Sequence, residues 1–305
     1  MVARAHTFTI EGLHTRHVTV EVDVRPGLPV FAIVGLADAA VREARERVRT
    51  AILNSGYEFP ARRITANLAP GDIRKAGPGL DLALACAVLA ASGQLPEERL
   101  ASHALFGELA LNGDVRACRG VLSVAHAARE HGLSAVVLAG TCAREAQLIE
   151  GIEVAIAERL RSAVRILCGG RGDPLTGATR GDAPTEGQEA PQLELADVRG
   201  QQHAVMALVI AAAGGHNILL SGPPGTGKTM LAQRIASILP PLSGREAIEV
   251  TRIHSLSGGP ARELARTRPF RAPHHSITAA GLIGGAQRGW IGEVVLAHAS
   301  VRVCS

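Results

Sequence analysis

Aromatic residues are scarce in this chain: tryptophan and tyrosine occur once each and phenylalanine five times in 305 residues. Few rings are available to stack on unpaired bases, which excludes aromatic platforms as the main means of holding a single strand. Paired cysteines are lacking as well. Cys86, Cys118, Cys142, Cys168 and Cys304 lie far apart, with no C-x-x-C spacing and no histidine at zinc-finger distance. That pattern argues against a disulfide framework or a structural zinc site and reads as a reducing compartment. Long apolar runs are missing too. His6, Glu11 and His14 interrupt the N-terminal stretch, and no later segment keeps enough uninterrupted apolar residues to span a bilayer. The expectation is a soluble, cytoplasmic protein with no membrane partner. Nor is there a dense block of Lys or Arg. The net charge of +4 permits contact with nucleic acid without arguing for it.

What is plentiful is small and apolar. Hydrophobic residues make up 47% of the chain, many of them Ala and Val, which suits α/β packing. The length suffices for two domains with ordinary cores. Val18, Val20, Val22 and Val24 alternate with Thr19, Glu21 and Asp23, so a strand with one buried face is predicted there. Residues 30–34 read as a second, more fully buried strand. A helix capped by Asp38 follows, with Val41, Ala44, Val48 and Ile52 inward and Gly56 just past its end. Its outer Arg42, Arg45 and Arg49 stand among Glu43 and Glu46, a solvated mixed-charge face rather than a DNA-contacting one. Further strands are expected near 64–68, 135–138 and 152–156. Helices are expected over 80–91 and 121–130, a short one after 138, and a last one to about 167. Asn112-Gly113 signals a hairpin. Residues 1–168 thus form an α/β or α+β domain.

Residues 169–192 are nearly all polar, Gly or Pro, the composition of a flexible linker. The second domain, 193–305, holds the most informative string. Residues 222–229 read Gly222-Pro223-Pro224-Gly225-Thr226-Gly227-Lys228-Thr229, the phosphate-loop pattern G-x-x-x-x-G-K-[ST]. Its glycines permit backbone angles that side chains resist, so several N–H groups can converge on one anion. Lys228 is the catalytic candidate, reaching the terminal phosphates, and the Thr229 hydroxyl is the candidate Mg²⁺ ligand. Residues 216–221 are predicted as a buried strand entering the loop. Leu231, Ile235, Ile238 and Leu239 recur at helical spacing after it, placing the phosphates on a helix N-terminus. A helix over 202–213, stopped by Gly214-Gly215, precedes the loop, and residues 248–253 are predicted as a second strand. The expected ligands are ATP and Mg²⁺.

Longer strings carry a family resemblance. They are Ile33-Val34-Gly35-Leu36-Ala37-Asp38, Asn54-Ser55-Gly56-Tyr57-Glu58-Phe59-Pro60, Asp197-Val198-Arg199-Gly200-Gln201 and Arg268-Pro269-Phe270-Arg271-Ala272-Pro273-His274-His275. With the phosphate loop they resemble the Mg-chelatase-like ATPases of the YifB/ComM type, in the AAA+ superfamily. The resemblance implies a Lon-protease-like α+β domain followed by a partial P-loop AAA+ α/β domain. It implies ATP hydrolysis at the interfaces of a self-assembled ring and DNA branch migration during natural transformation. A chelatase-type motor for metal insertion is the alternative. In Lon-type enzymes the nucleophile lies in a K-D-G-P-S-A-G string. Here Lys75-Ala76-Gly77-Pro78-Gly79 puts glycine at the serine position, and Leu122 and Val124 stand where a lysine base would be. That points to a non-proteolytic domain. Adjacent His274 and His275 supply at most half a zinc shell, so a loop role in contacting DNA or a neighbouring subunit is expected instead. After Ala297-His298 the family continues into an apolar strand ending Asp-Glu, whereas here Arg302 interrupts the string. The expectation is a chain truncated before the Walker B acids, sensors and arginine finger: a non-hydrolysing, nucleotide-binding fragment.

Overall fold

The computed structural model describes residues 2–175, 193–258, 261–274, 276–285, 290–299 and 301–302. Most of the expected linker, His275 and much of the divergent C-terminal string lie outside them. The chain divides into two compact units, Met1–Thr179 with Gly258–Glu263, and Arg180–Ser257 with Leu264–Ser305.

The first unit is a mixed sheet with helices. Its elements are β1 (Val2–Glu11), β2 (His14–Arg25), β3 (Val30–Val34), α1 (Ala39–Asn54), β4 (Arg63–Ala69) and α2 (Asp81–Ala91). Then come β5 (His103–Leu105), β6 (Glu108–Leu109), β7 (Val115–Arg116), α3 (Val121–Glu130), β8 (Ala135–Leu138), α4 (Ala143–Ala146), β9 (Glu153–Ile156) and α5 (Leu160–Leu167). Seven strands form one sheet in the order β3-β4-β2-β1-β5-β8-β9. β2 pairs antiparallel with β1 and β4, while β1, β5, β8 and β9 run parallel. β3 adds parallel to the outer side of β4, so β1 is the seam between a mixed half and an all-parallel half.

The alternating valines of β2 all face the main core, as the period-two pattern requires. Across that face lies α2, every residue of which is buried. α1 packs beside it through Val41, Ala44, Val48, Ala51 and Ile52. Asp38 caps α1: its Oδ1 accepts the Val41 N–H at 2.9 Å, and its Oδ2 accepts the Gly77 N–H at 3.2 Å. One cap thus fixes both a helix start and a distant loop.

Two sequence expectations change, and one strand was not expected. β3 is the sheet's edge strand and only half-buried, because β4 covers one side and nothing pairs with the other among the described residues. β1 had no expectation attached to it. Its inward face carries buried Thr7 and Thr9 beside Ala3 and Ala5, so the hydrophobic alternation is blurred. The Asn112-Gly113 hairpin forms, but with short strands: Leu109 pairs with Val115, and Gly113 donates back to Ala110 at 2.9 Å.

The second unit is richer in helix. It contains α6 (Gln202–Gly214), α7 (Lys228–Arg234), α8 (Gly244–Gly258), β10 (Phe270–Arg271), α9 (Ala279–Ile283), β11 (Gly284–Gly285), β12 (Trp290–Ile291), α10 (Glu293–Leu296) and β13 (Val301–Arg302). A small core gathers Leu195, Leu208, Ala212, Leu231 and Ile235. Residues 248–253, expected as a strand, are helix within α8. Ser243 and Glu246 form a reciprocal capping box, Glu246 accepting the Ser243 N–H at 2.8 Å. Ala247, Val250 and Ile253 then bury one face at a spacing of three. Without that strand as a neighbour, residues 216–221 form no strand either, and Leu219 is 90% exposed. Ile218 and Leu220 still pack on the small core. Among the described residues, no helix is long and apolar enough to cross a membrane.

Candidate functional site

The loop of residues 222–229 connects the extended 216–221 segment to α7. Gly222, Gly225 and Gly227 have φ of 154°, 82° and 79°, values that side-chain-bearing residues resist. Gly227 is the N-cap of α7 in left-handed conformation, and Leu231 donates to its carbonyl at 2.9 Å. Lys228 and Thr229 begin the helix, so their N–H groups have no acceptor within it. The loop is largely exposed, with those donors and the positive end of the helix dipole at its C-terminal end.

Lys228 folds back over its own loop. Its ammonium donates to the carbonyls of Gly222 at 2.8 Å and Pro223 at 2.7 Å. The Thr226 hydroxyl donates to Pro223 O at 2.9 Å and braces the same turn. A cation, first-turn helix N–H groups and a hydroxyl residue next in the chain form a donor set that fits a polyphosphate. Thr229 is exposed at the rim, open to a metal-bound phosphate. The sequence reading brought these eight residues together, and the structure holds them in one loop.

Beside the loop is a cavity of about 850 Å³. Its walls include Ala212, Ile218, Leu220 and Leu239, with Lys228 and Thr229 on one side and Arg268 on another. Arg268 is a half-buried brace: it donates to Pro240 O and Ala299 O, each at 2.7 Å, and pairs with Glu246 at 3.1 Å. Sequence reasoning missed Gln201. Its side-chain Nε2 donates to Thr226 O at 3.1 Å, tying the start of α6 to the loop. The only sequence signal was its place in the Asp197–Gln201 string.

The other candidate positions behave differently. Arg271 makes a two-pronged ion pair with Glu293, which holds that carboxyl below its ordinary range through hydrogen bonding and charge. Both residues line a smaller cavity with His274. His274 Nδ1 lies 2.6 Å from Ser276 Oγ, and among the described residues no group of three metal-ligating side chains converges. In the first unit, a Cβ on Gly79 would sit 2.4 Å from the ring of buried Phe106. Leu122 and Val124 are buried, and Lys75 donates to Pro70 O. The place matching a Lon-type nucleophile is thus filled by a phenylalanine ring. On α1, Arg49 lies over the Phe59 ring, 5.7 Å from its centroid, and Arg45 leans on Glu46, so the face is mixed rather than a basic patch.

Comparison with known proteins places these features. Residues 20–141 match the family model described as "Subunit ChlI of Mg-chelatase", and residues 194–303 match "Magnesium chelatase, subunit ChlI". The chain is 44% identical to the Escherichia coli K12 protein named YifB over 298 residues, covering 97% of this chain and 58% of that protein. It is 41% identical over 290 residues to the "Competence protein ComM" of Haemophilus influenzae, covering 94% of this chain and 56% of that one. The chain therefore spans somewhat over half the length of these relatives. A stretch of 56 residues is 45% identical to the archaeal Lon protease of Thermococcus kodakarensis, 18% of this chain and 9% of that protein. The Lon likeness is local and slight.

Proposed function

This chain belongs to the Mg-chelatase-like ATPase family of the YifB/ComM type, and we propose that residues 222–229 bind ATP with Mg²⁺. The observation that carries this is the loop itself, with three glycines at positive φ leading into the N-terminus of α7 and Lys228 folded over the loop's carbonyls. Lys228 would exchange its two carbonyl acceptors for phosphate oxygens. The first-turn N–H groups would hold the remaining charge, and Thr229 would orient the metal. Bound there, ATP supplies the free energy that AAA+ motors convert into work. Wild type should bind a fluorescent ATP analogue at micromolar concentration, and Lys228→Ala should weaken it at least tenfold. Equal binding by both proteins would defeat this assignment.

For the intact form of the family, which carries the Walker B acids and arginine finger as well, we propose remodelling of branched DNA by a ring of copies. The resemblance described from the sequence supports it, as does the ComM relative, whose name ties that protein to competence. A second reading, a motor for metal insertion into a cofactor, is favoured by the chelatase descriptions of both matching family models. Branched DNA that raises ATP affinity or turnover supports the first, and indifference to DNA supports the second. The first unit is proposed as a non-proteolytic scaffold, because Phe106 fills the nucleophile position.

A further inference from the structure

Gln201 has a costly backbone and a well-aimed side chain. Among the described residues, only Gln201 and Ala299 have positive φ without being glycine, and Gln201 sits at φ 52°. Left-handed backbone in a long side-chain residue persists where surrounding structure enforces it, and it clusters at functional sites. Here the preceding Gly200 is also left-handed at φ 73°, and Val205 donates to the Gln201 carbonyl at 3.0 Å, starting α6. This conformation presents the Gln201 amide to the phosphate loop, where Nε2 donates to Thr226 O.

The consequence follows from peptide geometry. Thr226 C=O and Gly227 N–H belong to one planar trans peptide, so they point in opposite directions. Holding the carbonyl outward, toward Gln201, aims the Gly227 N–H away from Gln201. A Cβ on Gly227 would lie 3.2 Å from Gln201 Nε2, so a side chain there would press on this hydrogen bond. We propose that Gln201 is a positioning residue that sets this peptide plane, so that the Gly227 N–H joins the donors offered to a polyphosphate. The proposal rests on the reading of residues 222–229 as the ATP site.

The test uses the whole chain and two variants. Gln201→Gly removes the amide while relieving the left-handed strain. Gln201→Glu sets a carboxylate acceptor against the Thr226 carbonyl and should rotate the peptide. Thr–Gly peptides occur only at Thr176–Gly177 and Thr226–Gly227 in the sequence. Cell-free labelling with ¹³C-carbonyl Thr and ¹⁵N-Gly therefore yields two selectable amide signals. Without nucleotide, the Gly227 signal should move in both variants while the Gly177 signal stays. Affinity for MgATP should fall roughly fivefold for Gln201→Gly and tenfold or more for Gln201→Glu, the scale of a lost neutral hydrogen bond and of added repulsion. Unfolding midpoints for Gln201→Gly should not fall, which a purely structural role would not predict. An unmoved Gly227 signal, or affinities within about twofold of wild type, overturns the proposal. A wild type that binds no ATP while the Gly227 signal still moves defeats the ATP-site reading and supports the positioning of the peptide.

Discussion

Arg47→Met is the most demanding test of the first unit. Arg47 on α1 grips Asp81 at the start of α2 with two bonds, Nε to Oδ2 at 2.8 Å and Nη2 to Oδ1 at 3.1 Å. The Asp81 side chain is 1% exposed and that of Arg47 21%. Asp81 Oδ2 also accepts the Leu109 N–H at 3.3 Å, so one carboxylate links α1, α2 and β6. Burial lifts the Asp81 carboxyl above its ordinary range, and Arg47 opposes that lift. Methionine keeps most of the stem volume but removes the cation, leaving a buried carboxylate without its partner. Breaking one side of such a pair costs about 3–5 kcal/mol, against a total stability of roughly 5–15 kcal/mol. The loss should depend on pH. With its carboxyl pKa raised further, folded Asp81 holds its proton above the pH at which the unfolded chain has released it. The variant is therefore least impaired near pH 4 and loses stability as pH rises through the raised value. Replacing both partners, Arg47→Met with Asp81→Leu, should recover most of the loss. Urea unfolding at pH 5 and pH 8, followed by far-UV circular dichroism and the single tyrosine Tyr57, reads all three proteins. A single variant within about 1 kcal/mol of wild type at pH 8, or a loss equal at both pH values, would refute the reasoning.

Two further outcomes follow from packing and charge. Gly79→Ser should cost roughly 1–3 kcal/mol because its Cβ meets the Phe106 ring at 2.4 Å; adding Phe106→Ala should make serine at 79 less harmful than it is alone, measured by a thermodynamic cycle. His17 Nε2 lies 2.9 Å from His6 Nδ1, the two rings stacked, and the His131 ring is 4.9 Å away; burial and these neighbours lower its pKa from 6.5 to about 4. The unfolded chain thus binds more protons between those values, so stability is full above pH 6.5 and declines as pH falls through 4. Discounted for its half exposure, the decline is roughly 1–2 kcal/mol, and His17→Gln should flatten it in a denaturation series from pH 7 to 4.

Legibility in the sequence followed the physics of each element. β2 and α1 were readable because one side of each faces a core, so period two and period 3.6 appear undisguised. α8 was misread because Ile248 and Val250 alternate briefly with Glu249 and Thr251. The capping box at Ser243 and Glu246, three residues apart, was the readable signal that should have decided for helix. β1 was silent because Thr7 and Thr9 are buried polar residues whose place is set by strands on both sides, not by their own hydrophobicity. The phosphate loop was plain, since its residue types are fixed by backbone geometry over eight positions. Gln201 was not, because it meets Thr226 only after α6 and the extended segment have brought the two together.

The central position of β1 has a consequence for how the chain is made. β1 is made before its antiparallel partner β2, which follows at once through the turn at Gly12. Its parallel partner β5 begins only at His103, with His6 paired to Ala104. At ordinary synthesis rates the roughly ninety intervening residues take on the order of 5–20 s. During that interval one edge of the β1–β2 hairpin has no partner, a state in which nascent chains pair wrongly with one another. Arg4, exposed on β1 and paired with Glu21 of β2, sets a charge on that hairpin, the kind of residue that discourages edge pairing while β5 is still to come.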